Sequence, residues 1–360
     1  MEIVINGRFL TQNVTGVQRY ARELVQALDA ILDTKPELNV TVMSPRLVET
    51  PQAWRNIELR QVGYLQGHAW EQFELPWHSR GKALFCPGNT APAISLLSGQ
   101  RVIVTVHDLS YLYFPDAYSR QFRLWYNIII PLALRRATTV ITVSQSERCA
   151  ILTHYPDVGP RLFSIQNGGL PVELPAQAIE AADCDRGYIL YVGSLSRRKN
   201  IQGALNVASR LVRKRDFRFV FVGGTAGGIR YSDFTAPSDV AERITMVGQV
   251  DDLSALISYY RRAECLLFPS FYEASPLPPL EAMACGCPVV ASDIPALKER
   301  CGDAAIYCDP NSIDSMCAAV LRVMDDAELH AKLRALGYQR AANYTWKACA
   351  QDTLDLICRC

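Results

Sequence analysis

The sequence predicts an α/β protein with two Rossmann-like, doubly wound domains that face a cleft. In the first half of the 360-residue chain, short apolar runs such as EIVI, NVTVM and RVIVTV alternate with segments of helical length. The same alternation restarts at Tyr188 with YILYVG, after a stretch rich in Pro, Ala and acidic residues. Alternating strands and helices are typical of parallel sheets, which bind ligands at the carboxyl ends of their strands. Two such sheets would place these ends on either side of a cleft.

The domain boundaries follow from where this alternation stops and restarts. Residues 1–170 form the predicted amino-terminal Rossmann-like domain, and residues 171–187, which lack strong periodicity, form a linker. Residues 188–342 form the second Rossmann-like domain. Residues 343–360 hold a terminal helix that Thr345 can cap.

Composition and charge exclude several classes of protein. With 49% hydrophobic and 20% charged residues the chain can bury two cores, and a formal net charge of +1 does not favour binding to nucleic acid. The opening MEIVING lacks a signal-peptide pattern, and the apolar stretch at 124–134 is shorter than the roughly 20 residues that span a bilayer. The twelve cysteines lack the spacing of a zinc site. We therefore expect mostly reduced, often buried thiols and a cytoplasmic protein without a bound metal.

The sharpest motif, FPSFYEASPLPPLEAMACGCPVVASDIPAL, runs from Phe268 to Leu297 and follows a strand-like run. Proline favours the first position of a helix, so the motif predicts a short helix that starts near Pro279 and ends at Gly286. Glu273 then lies in the loop and Glu281 in the first turn of the helix. Free amide groups at the helix start would favour a ligand phosphate.

A basic loop follows the first strand of the second predicted domain. In YILYVGSLSRRKN, Arg197, Arg198 and Lys199 come after the strand and before a helix that starts near Asn200. This position points cations toward the strand ends, where they would bind an anionic group of a ligand. We expect Arg197 to be the member that faces solvent.

Two glycine-containing turns of the same domain are weaker candidates. Residues 223–228 and 247–250 could border a nucleotide base, although neither spells the GxGxxG pattern. The pair Asp251-Asp252 is more typical of a helix cap than of a metal site.

Two positions of the first domain are candidates for contact with a ligand. Gly16 precedes an amphipathic helix, and glycine lets a backbone approach a ligand closely. His107 and Asp108 follow the strand RVIVTV directly, again at a carboxyl end. A plain turn glycine and a structural histidine are the alternative interpretations. Asp108 would cap or orient the histidine loop.

The segment from Ser119 to Arg136 is predicted as a helix with an apolar middle and arginines near both ends. Such a helix could lie on an anionic membrane surface. Its hydrophobic continuity favours a buried core helix with charged ends.

These segments, together with GRFLTQNVTGVQRYAREL, GHAWEQFELPW and YTWKACA, resemble glycosyltransferase family 4 over nearly the whole chain. This family consists of retaining enzymes of the GT-B fold, and its mark is two glutamates separated by seven residues, here Glu273 and Glu281. The chain looks most like the mannosyltransferase-like branch that builds O-antigen and exopolysaccharide. In this fold the last helix is expected to cross back to the first domain.

The resemblance implies a role for each candidate residue. Glu273 would hold hydroxyl groups of the donor sugar, and Glu281 the ribose of the nucleotide. Arg198 and Lys199 would oppose the negative charge that grows on the leaving diphosphate, as a metal does elsewhere. Among the remaining positions, the donor or the acceptor side would be contacted by Gly16, His107 and Leu277. One departure concerns Ala274-Ser275-Pro276, which replaces the Gly-Phe-Gly common in the family and removes one backbone N–H.

The implied activity is transfer of a hexose onto a glycan or a polyprenyl-diphosphate-linked oligosaccharide in bacterial surface polysaccharide synthesis. Mannose from GDP-mannose is the favoured donor. No cofactor or metal beyond the nucleotide sugar is expected, and no nucleic-acid partner. A lipid-linked acceptor would require peripheral contact with the inner face of the membrane.

Several alternatives remain open at this point. The donor could be a UDP- or dTDP-sugar, and a nucleotide-sugar epimerase or a non-catalytic sugar-nucleotide binder would have the same architecture. A nicotinamide oxidoreductase is less favoured, because the glycine fingerprint with a downstream acidic residue is absent from the sequence.

Overall fold

The computed structural model describes residues 1–46, 54–170, 187–224 and 238–359, which group into two compact units. Unit 1 comprises Met1–Tyr113, Ser119–Gly168 and Thr345–Cys360, and unit 2 comprises Phe114–Tyr118 and Gly169–Tyr344. Except for Gly187, the predicted linker at 171–187 lies outside the described residues.

Unit 1 contains a parallel sheet of seven strands in the order β3-β2-β1-β4-β5-β6-β7. The strands are β1 (Glu2–Asn6), β2 (Asn39–Ser44), β3 (Ile57–Gln61), β4 (Ala83–Cys86), β5 (Val102–Thr105), β6 (Thr139–Thr142) and β7 (Leu162–Ser164). The strand order reverses between β1 and β4, and such a switch point is where open α/β sheets bind ligands. Edge strand β3 was not predicted, because its sequence IELRQ is mostly polar and largely exposed.

The helices of unit 1 connect these strands as crossovers. They are α1 (Gly16–Leu32), α2 (Gly67–Ala69), α3 (Leu75–His78), α4 (Ala93–Leu97), α5 (Ser110–Tyr113), α6 (Arg120–Arg136) and α7 (Gln145–His154). A turn of π-helix, Trp70–Glu74, joins α2 to α3. Helix α1 is amphipathic and buries Tyr20, Leu24 and Leu28 against the sheet side of the unit.

Unit 2 contains a parallel sheet of six strands in the order β10-β9-β8-β11-β12-β13. The strands are β8 (Tyr188–Val192), β9 (Phe219–Val222), β10 (Ile244–Gly248), β11 (Ala263–Phe268), β12 (Val289–Ser292) and β13 (Ala305–Cys308). Alternate residues of β8 pack into two separate apolar clusters, Leu190 into one and Tyr191 into the other. The sheet is therefore covered on both faces, and its order reverses between β8 and β11.

The helices of unit 2 are α8 (Ile201–Lys214), α9 (Leu253–Arg262), α10 (Leu277–Ala284), α11 (Pro295–Cys301), α12 (Ile313–Asp325) and α13 (Ala327–Ala342). The last helix, α14 (Trp346–Arg359), belongs to unit 1 and packs against α1. Thr345 caps it, since its Oγ1 accepts a hydrogen bond from Ala348 N at 3.1 Å. Two parallel α/β sheets of this kind confirm the predicted fold class.

Helix α6 differs from the prediction of a buried core helix. Its buried residues are confined to the second half, where Ile129 and Ile130 lie in the core. Leu124 and Ile128 are 67% and 58% exposed. The apolar run covers more than one face of the helix, and one face alone packs on unit 1.

The cysteines agree with the prediction of reduced thiols. The ten described cysteines are all free, and eight of them are buried. Within the four described ranges, no helix is long and apolar enough to cross a membrane.

Candidate functional site

The switch point of unit 2 brings together three of the predicted site residues. Arg198 and Lys199 follow β8, Glu273 follows β11, and these two strands are neighbours in the sheet. Lys199 Nζ lies 2.5 Å from Glu273 Oε1, and Arg198 Nη1 lies 3.6 Å from Oε2. Two cations and a carboxylate therefore form one cluster at the carboxyl edge of the sheet.

Burial and charge have opposite effects on the carboxyl group of Glu273, which is 7% exposed. Burial raises its pKa, whereas the charges of Lys199 and Arg198 lower it, and the net result is a pKa below the usual range. The carboxylate is thus ionised at neutral pH and can accept hydrogen bonds from hydroxyl groups. Arg198 and Lys199 keep 22% and 13% of their side-chain surface exposed, so the cluster is reachable from solvent.

Backbone contacts fix the two loops to each other. Phe271 N donates to Arg198 O at 2.9 Å, and Arg198 Nη1 donates to Tyr272 O at 3.0 Å. Asn200, in the left-handed region at a φ of 54°, caps α8 through Gly203 N. Arg197 is exposed, as predicted. The basic loop is therefore held by specific contacts rather than solvated as a whole.

Glycines allow the neighbouring loops to approach closely at the same edge. Gly223 has a φ of 152°, and a Cβ atom there would lie 1.9 Å from Gly193 O. Gly223 N donates to Gly248 O at 2.8 Å. A side chain at Gly223 would push the ends of β8 and β9 apart. Of the predicted stretch at 223–228, residues 225–228 lie outside the described residues.

Helix α10 begins two residues earlier than predicted. Its first residue is Leu277, which is 8% exposed, and Glu281 therefore lies in the second turn and not the first. The prediction was wrong because the first N–H groups of any helix lack an intrahelical partner, so Pro278 and Pro279 are tolerated within the first turn. The two prolines also remove N–H donors from that turn, so fewer amide groups remain for a phosphate than expected.

Glu281 is buried within unit 2. It is 1% exposed, and its Oε2 accepts a hydrogen bond from Tyr260 OH at 2.9 Å. Asp252 caps α9, the helix that carries Tyr260, as the sequence predicted. Within the described part of the chain, no three His, Cys, Asp or Glu side chains form a group that could hold a metal ion.

His107 occupies the carboxyl end of β5 in unit 1 and is 7% exposed. Its Nε2 lies 2.8 Å from Pro87 O, so Nε2 carries the proton and Nδ1 is left as the acceptor. Burial lowers the pKa of the ring, against the smaller opposing effects of the Pro87 carbonyl and Asp108. The imidazole is therefore neutral at pH 7. Asp108 caps α5, since its Oδ1 accepts a hydrogen bond from Ser110 N at 2.9 Å.

Gly16 is the first residue of α1, and neither its backbone nor its packing explains why it is glycine. No atom lies within 4 Å of the position that a Cβ would take, and its φ is outside the left-handed region. The preceding Thr15 caps the helix together with Gln18, whose Oε1 accepts from Thr15 N at 3.2 Å. Open space above a helix start is compatible with close approach of a ligand.

Sequence reasoning missed a buried polar cluster at the switch point of unit 1. It consists of Arg8, which follows β1, His68 and Glu71 from the α2 region, and Thr90, which follows β4. The segment GHAWEQFELPW resembles the family, but the sequence predicts no role for its His68 or Glu71. A signal was present, because Glu71 follows Trp70 directly and apolar residues recur around it in this short segment.

Comparison with known proteins identifies the family. Residues 14–168 match the profile of Glycosyltransferase Family 4, and residues 176–340 match that of Glycosyl transferases group 1. The chain is 28% identical over 271 residues to O-antigen chain mannosyltransferase B of Escherichia coli, which covers 71% of this chain and 70% of that protein.

Solved structures share the fold. Sucrose-phosphate synthase from Thermosynechococcus elongatus has a TM-score of 0.77 at 21% identity and covers 100% of this chain and 98% of its own. HepE of Anabaena, crystallised with UDP and glucose, has a TM-score of 0.74 at 14% identity and covers 100% of both chains. Both units contain parallel Rossmann-like sheets. Apart from Phe114–Tyr118, the first profile lies within the sequence of unit 1, and the second covers most of unit 2. The chain is a glycosyltransferase of the GT-B fold and belongs to glycosyltransferase family 4.

Proposed function

We propose that the protein is a retaining, metal-independent hexosyltransferase whose nucleotide-sugar donor binds at the switch point of unit 2. The observation that carries this proposal is the cluster of Arg198, Lys199 and Glu273. Two cations beside one carboxylate match a donor that presents a diphosphate next to a sugar. In this arrangement the cations hold the diphosphate and Glu273 accepts hydrogen bonds from sugar hydroxyls.

The chemistry follows from where charge develops. Negative charge grows on the diphosphate as the glycosidic bond breaks, and preorganised cations stabilise it without reorganisation. The acceptor hydroxyl attacks the face from which the diphosphate leaves, and an oxygen of the leaving group takes its proton. The anomeric configuration is then retained without a covalent enzyme intermediate. Leu277 and Glu281 of α10 complete the donor site, Glu281 through the ribose.

In unit 1, we assign His107 and Gly16 to contacts with the substrates. The neutral His107 ring has Nδ1 as an acceptor for a hydroxyl group of a sugar. Gly16 leaves room for a ligand beside the first turn of α1. Both roles are consistent with an amino-terminal domain that serves the acceptor.

Mannose from GDP-mannose is the proposed donor. The 28% identity to an O-antigen mannosyltransferase supports mannose and a role in bacterial surface polysaccharide synthesis. The complex of HepE with UDP and glucose supports a nucleotide-sugar donor and keeps a UDP-sugar as the alternative. The acceptor is then a glycan or a polyprenyl-diphosphate-linked oligosaccharide, and a cytoplasmic location is part of the same proposal.

Peripheral contact with the inner face of the membrane is part of this proposal. Unit 1 exposes large apolar side chains. Trp77 of α3 is 74% exposed, and Leu97 and Leu124, on the contacting helices α4 and α6, are 64% and 67% exposed. Arg80 and Lys82 lie close to Trp77 in the chain. Apolar and basic side chains on one surface are typical of proteins that lie on anionic lipid.

Thermal unfolding with a panel of nucleotides tests the donor assignment. A ligand at one hundred times its dissociation constant stabilises the fold by about 2.7 kcal/mol, so GDP, UDP and dTDP are compared at equal concentration. We expect GDP to raise the unfolding temperature most. A clear preference for UDP would contradict the GDP assignment, and no response to any nucleotide would contradict the donor site.

Incubation with GDP-mannose in the absence of acceptor separates a transferase from an epimerase, which would convert the sugar under these conditions.

A further inference from the structure

The buried polar cluster of unit 1 forms a closed ring of hydrogen bonds. Glu71 Oε2 accepts from Thr90 Oγ1 at 2.8 Å, and it lies 3.1 Å from His68 Nδ1. Arg8 Nη2 donates to Thr90 Oγ1 at 3.0 Å, and Arg8 Nη1 lies 3.2 Å from His68 Nε2. The ring therefore runs from Arg8 through His68 to Glu71 and back through Thr90.

The donor of each bond in the ring is determined by chemistry. A guanidinium group has no acceptor, so His68 Nε2 must accept from Arg8. The imidazole proton of His68 must then lie on Nδ1, which donates to Glu71. The Thr90 hydroxyl has one proton and donates it to Glu71, while its lone pair accepts from Arg8. All four bonds are compatible with one another, and Arg8 and Glu71 bear opposite charges.

Burial of the hydrogen-bond ring costs desolvation free energy, which its internal hydrogen bonds must offset. Glu71 and Thr90 are fully buried and Arg8 is 7% exposed. Burial raises the pKa of Glu71, but Arg8 and His68 lower it further, to about 2. Buried ion pairs are weak contributors to stability, and in some proteins they serve to specify one geometry. The turn of π-helix at Trp70–Glu74, a rare conformation that is frequent at functional sites, carries Glu71 inward.

The loop that contains Thr90 also holds His107. Pro87 O accepts from His107 Nε2 at 2.8 Å, and Asn89 Oδ1 accepts from His107 N at 2.7 Å. Asn89 itself lies in the left-handed region at a φ of 61°, which costs free energy for a residue other than glycine. The neighbour of this strained residue, Thr90, is the one that the ring fixes.

We propose that Arg8, Glu71 and Thr90 are positioning residues that hold the loop at 87–90 and through it fix the ring orientation and tautomer of His107. The expected effect on catalysis rests on the function proposed for His107 above. The structural part, that these residues orient the His107 side chain, does not depend on that function. Loss of the hydrogen-bond ring would free Thr90 from its contacts with Arg8 and Glu71. The backbone at Asn89 could then relax, and both bonds that His107 makes to this loop would weaken.

The test compares two threonine variants of the full-length chain with a matched control. Thr90→Val removes the hydroxyl but keeps the shape, and Thr90→Ser restores the hydroxyl. Thr142→Val is the control, because Thr142 is also fully buried in unit 1 and its Oγ1 has no hydrogen-bond partner among the described residues. The first readout is the long-range proton–nitrogen NMR spectrum of the His107 ring, assigned by the His107→Gln variant.

We expect Thr90→Val to change the ring signals of His107 and to lower turnover about tenfold, the effect of losing one well-placed hydrogen bond. Affinity for free GDP should stay within about twofold of wild type, since we place the nucleotide on unit 2. Thr90→Ser and Thr142→Val should match the wild type in both readouts.

An unchanged His107 spectrum in Thr90→Val would overturn the proposal, whatever the turnover. If Thr90→Val does not fold, Thr90→Ala decides, because it also removes the hydroxyl that bonds to Arg8 and Glu71 while leaving more room beside the Glu71 carboxylate. An unchanged His107 spectrum there would equally overturn it. Full activity of His107→Gln would instead contradict the catalytic role of His107 and leave the positioning result standing.

Discussion

Lys199 Nζ and Glu273 Oε1 are 2.5 Å apart although 74 residues separate them in the chain. Their strands, β8 and β11, are neighbours because the order of the sheet reverses between them. The side chains that follow these strands therefore meet at one edge. This contact is the structural basis for assigning the donor site to unit 2.

The first prediction concerns the two cations of this cluster. Arg198→Ala and Lys199→Ala each remove charge-assisted hydrogen bonds worth about 1.5 to 3 kcal/mol, so turnover should fall roughly tenfold to a hundredfold or more. Lys199→Ala should have the larger effect, because Lys199 also makes the closest contact to Glu273. Arg197→Ala is the matched control and should keep full turnover, since Arg197 is exposed. Full activity of the Arg198→Ala, Lys199→Ala double variant would mean that the diphosphate binds elsewhere.

The residues of this cluster could be predicted from the sequence because each follows a strand of regular α/β alternation. Strand order fixes which loops meet, and the glutamate motif matches the family in strand, loop, helix and next strand. Helix α10 starts two residues before the predicted position, because the first turn of a helix tolerates prolines. Glu281 moved by one turn as a consequence.

The ring of Arg8, His68, Glu71 and Thr90 could not be predicted from the sequence. Its members come from three segments, and the pairing of Arg8 with Glu71 depends on how the π-helical turn rotates Glu71 inward. Polar β3 and half-exposed α6 were mispredicted for a related reason. The hydrophobic pattern of a segment predicts its average burial. The burial of an edge strand, or of a helix with two apolar faces, depends on the elements that pack against it.

The second prediction is that transfer activity survives excess EDTA. Arg198 and Lys199 supply the positive charge that a metal ion supplies in other transferases. Activity with and without chelator is measured on protein dialysed against EDTA. Loss of activity on chelation with recovery on addition of Mn²⁺ would reject metal independence.

The third prediction concerns the stereochemistry of the product. The transferred sugar should keep the anomeric configuration of the donor, because attack and departure occur on the same face. NMR of the product gives the configuration from the one-bond carbon–proton coupling at the anomeric centre. An inverted centre would contradict the proposed mechanism.

The fourth prediction concerns the pH dependence of Glu71. Its pKa in the folded protein is about 2, below the ordinary value of 4.5. The interactions that lower this pKa contribute their full stabilisation above the ordinary value of 4.5, and that contribution is lost as the pH falls toward 2. The carbon-13 carboxyl signal of Glu71, assigned with Glu71→Gln, should therefore not move between pH 7 and pH 4. A titration step in that interval would show that Arg8 does not lower the pKa of the Glu71 carboxyl group.

The last prediction separates the roles of the two glutamates. Glu281→Gln should weaken binding of donor and free nucleotide alike, because a ribose contact is shared by both. Tyr260→Phe is its matched control: it removes the hydrogen bond to Glu281 but keeps the carboxylate. If Glu281 contacts the ribose, Tyr260→Phe should weaken nucleotide binding less than Glu281→Gln does.

Glu273→Gln tests the central claim most directly. The substitution keeps the shape of the side chain but removes the charge between Lys199 and Arg198, so hydrogen bonds that strengthen as the sugar becomes oxocarbenium-like are lost. Turnover and free-nucleotide affinity are measured on the same folded preparation. The account predicts that turnover falls about tenfold or more while affinity for the free nucleotide stays within about twofold. Near-normal turnover in the folded variant would contradict it.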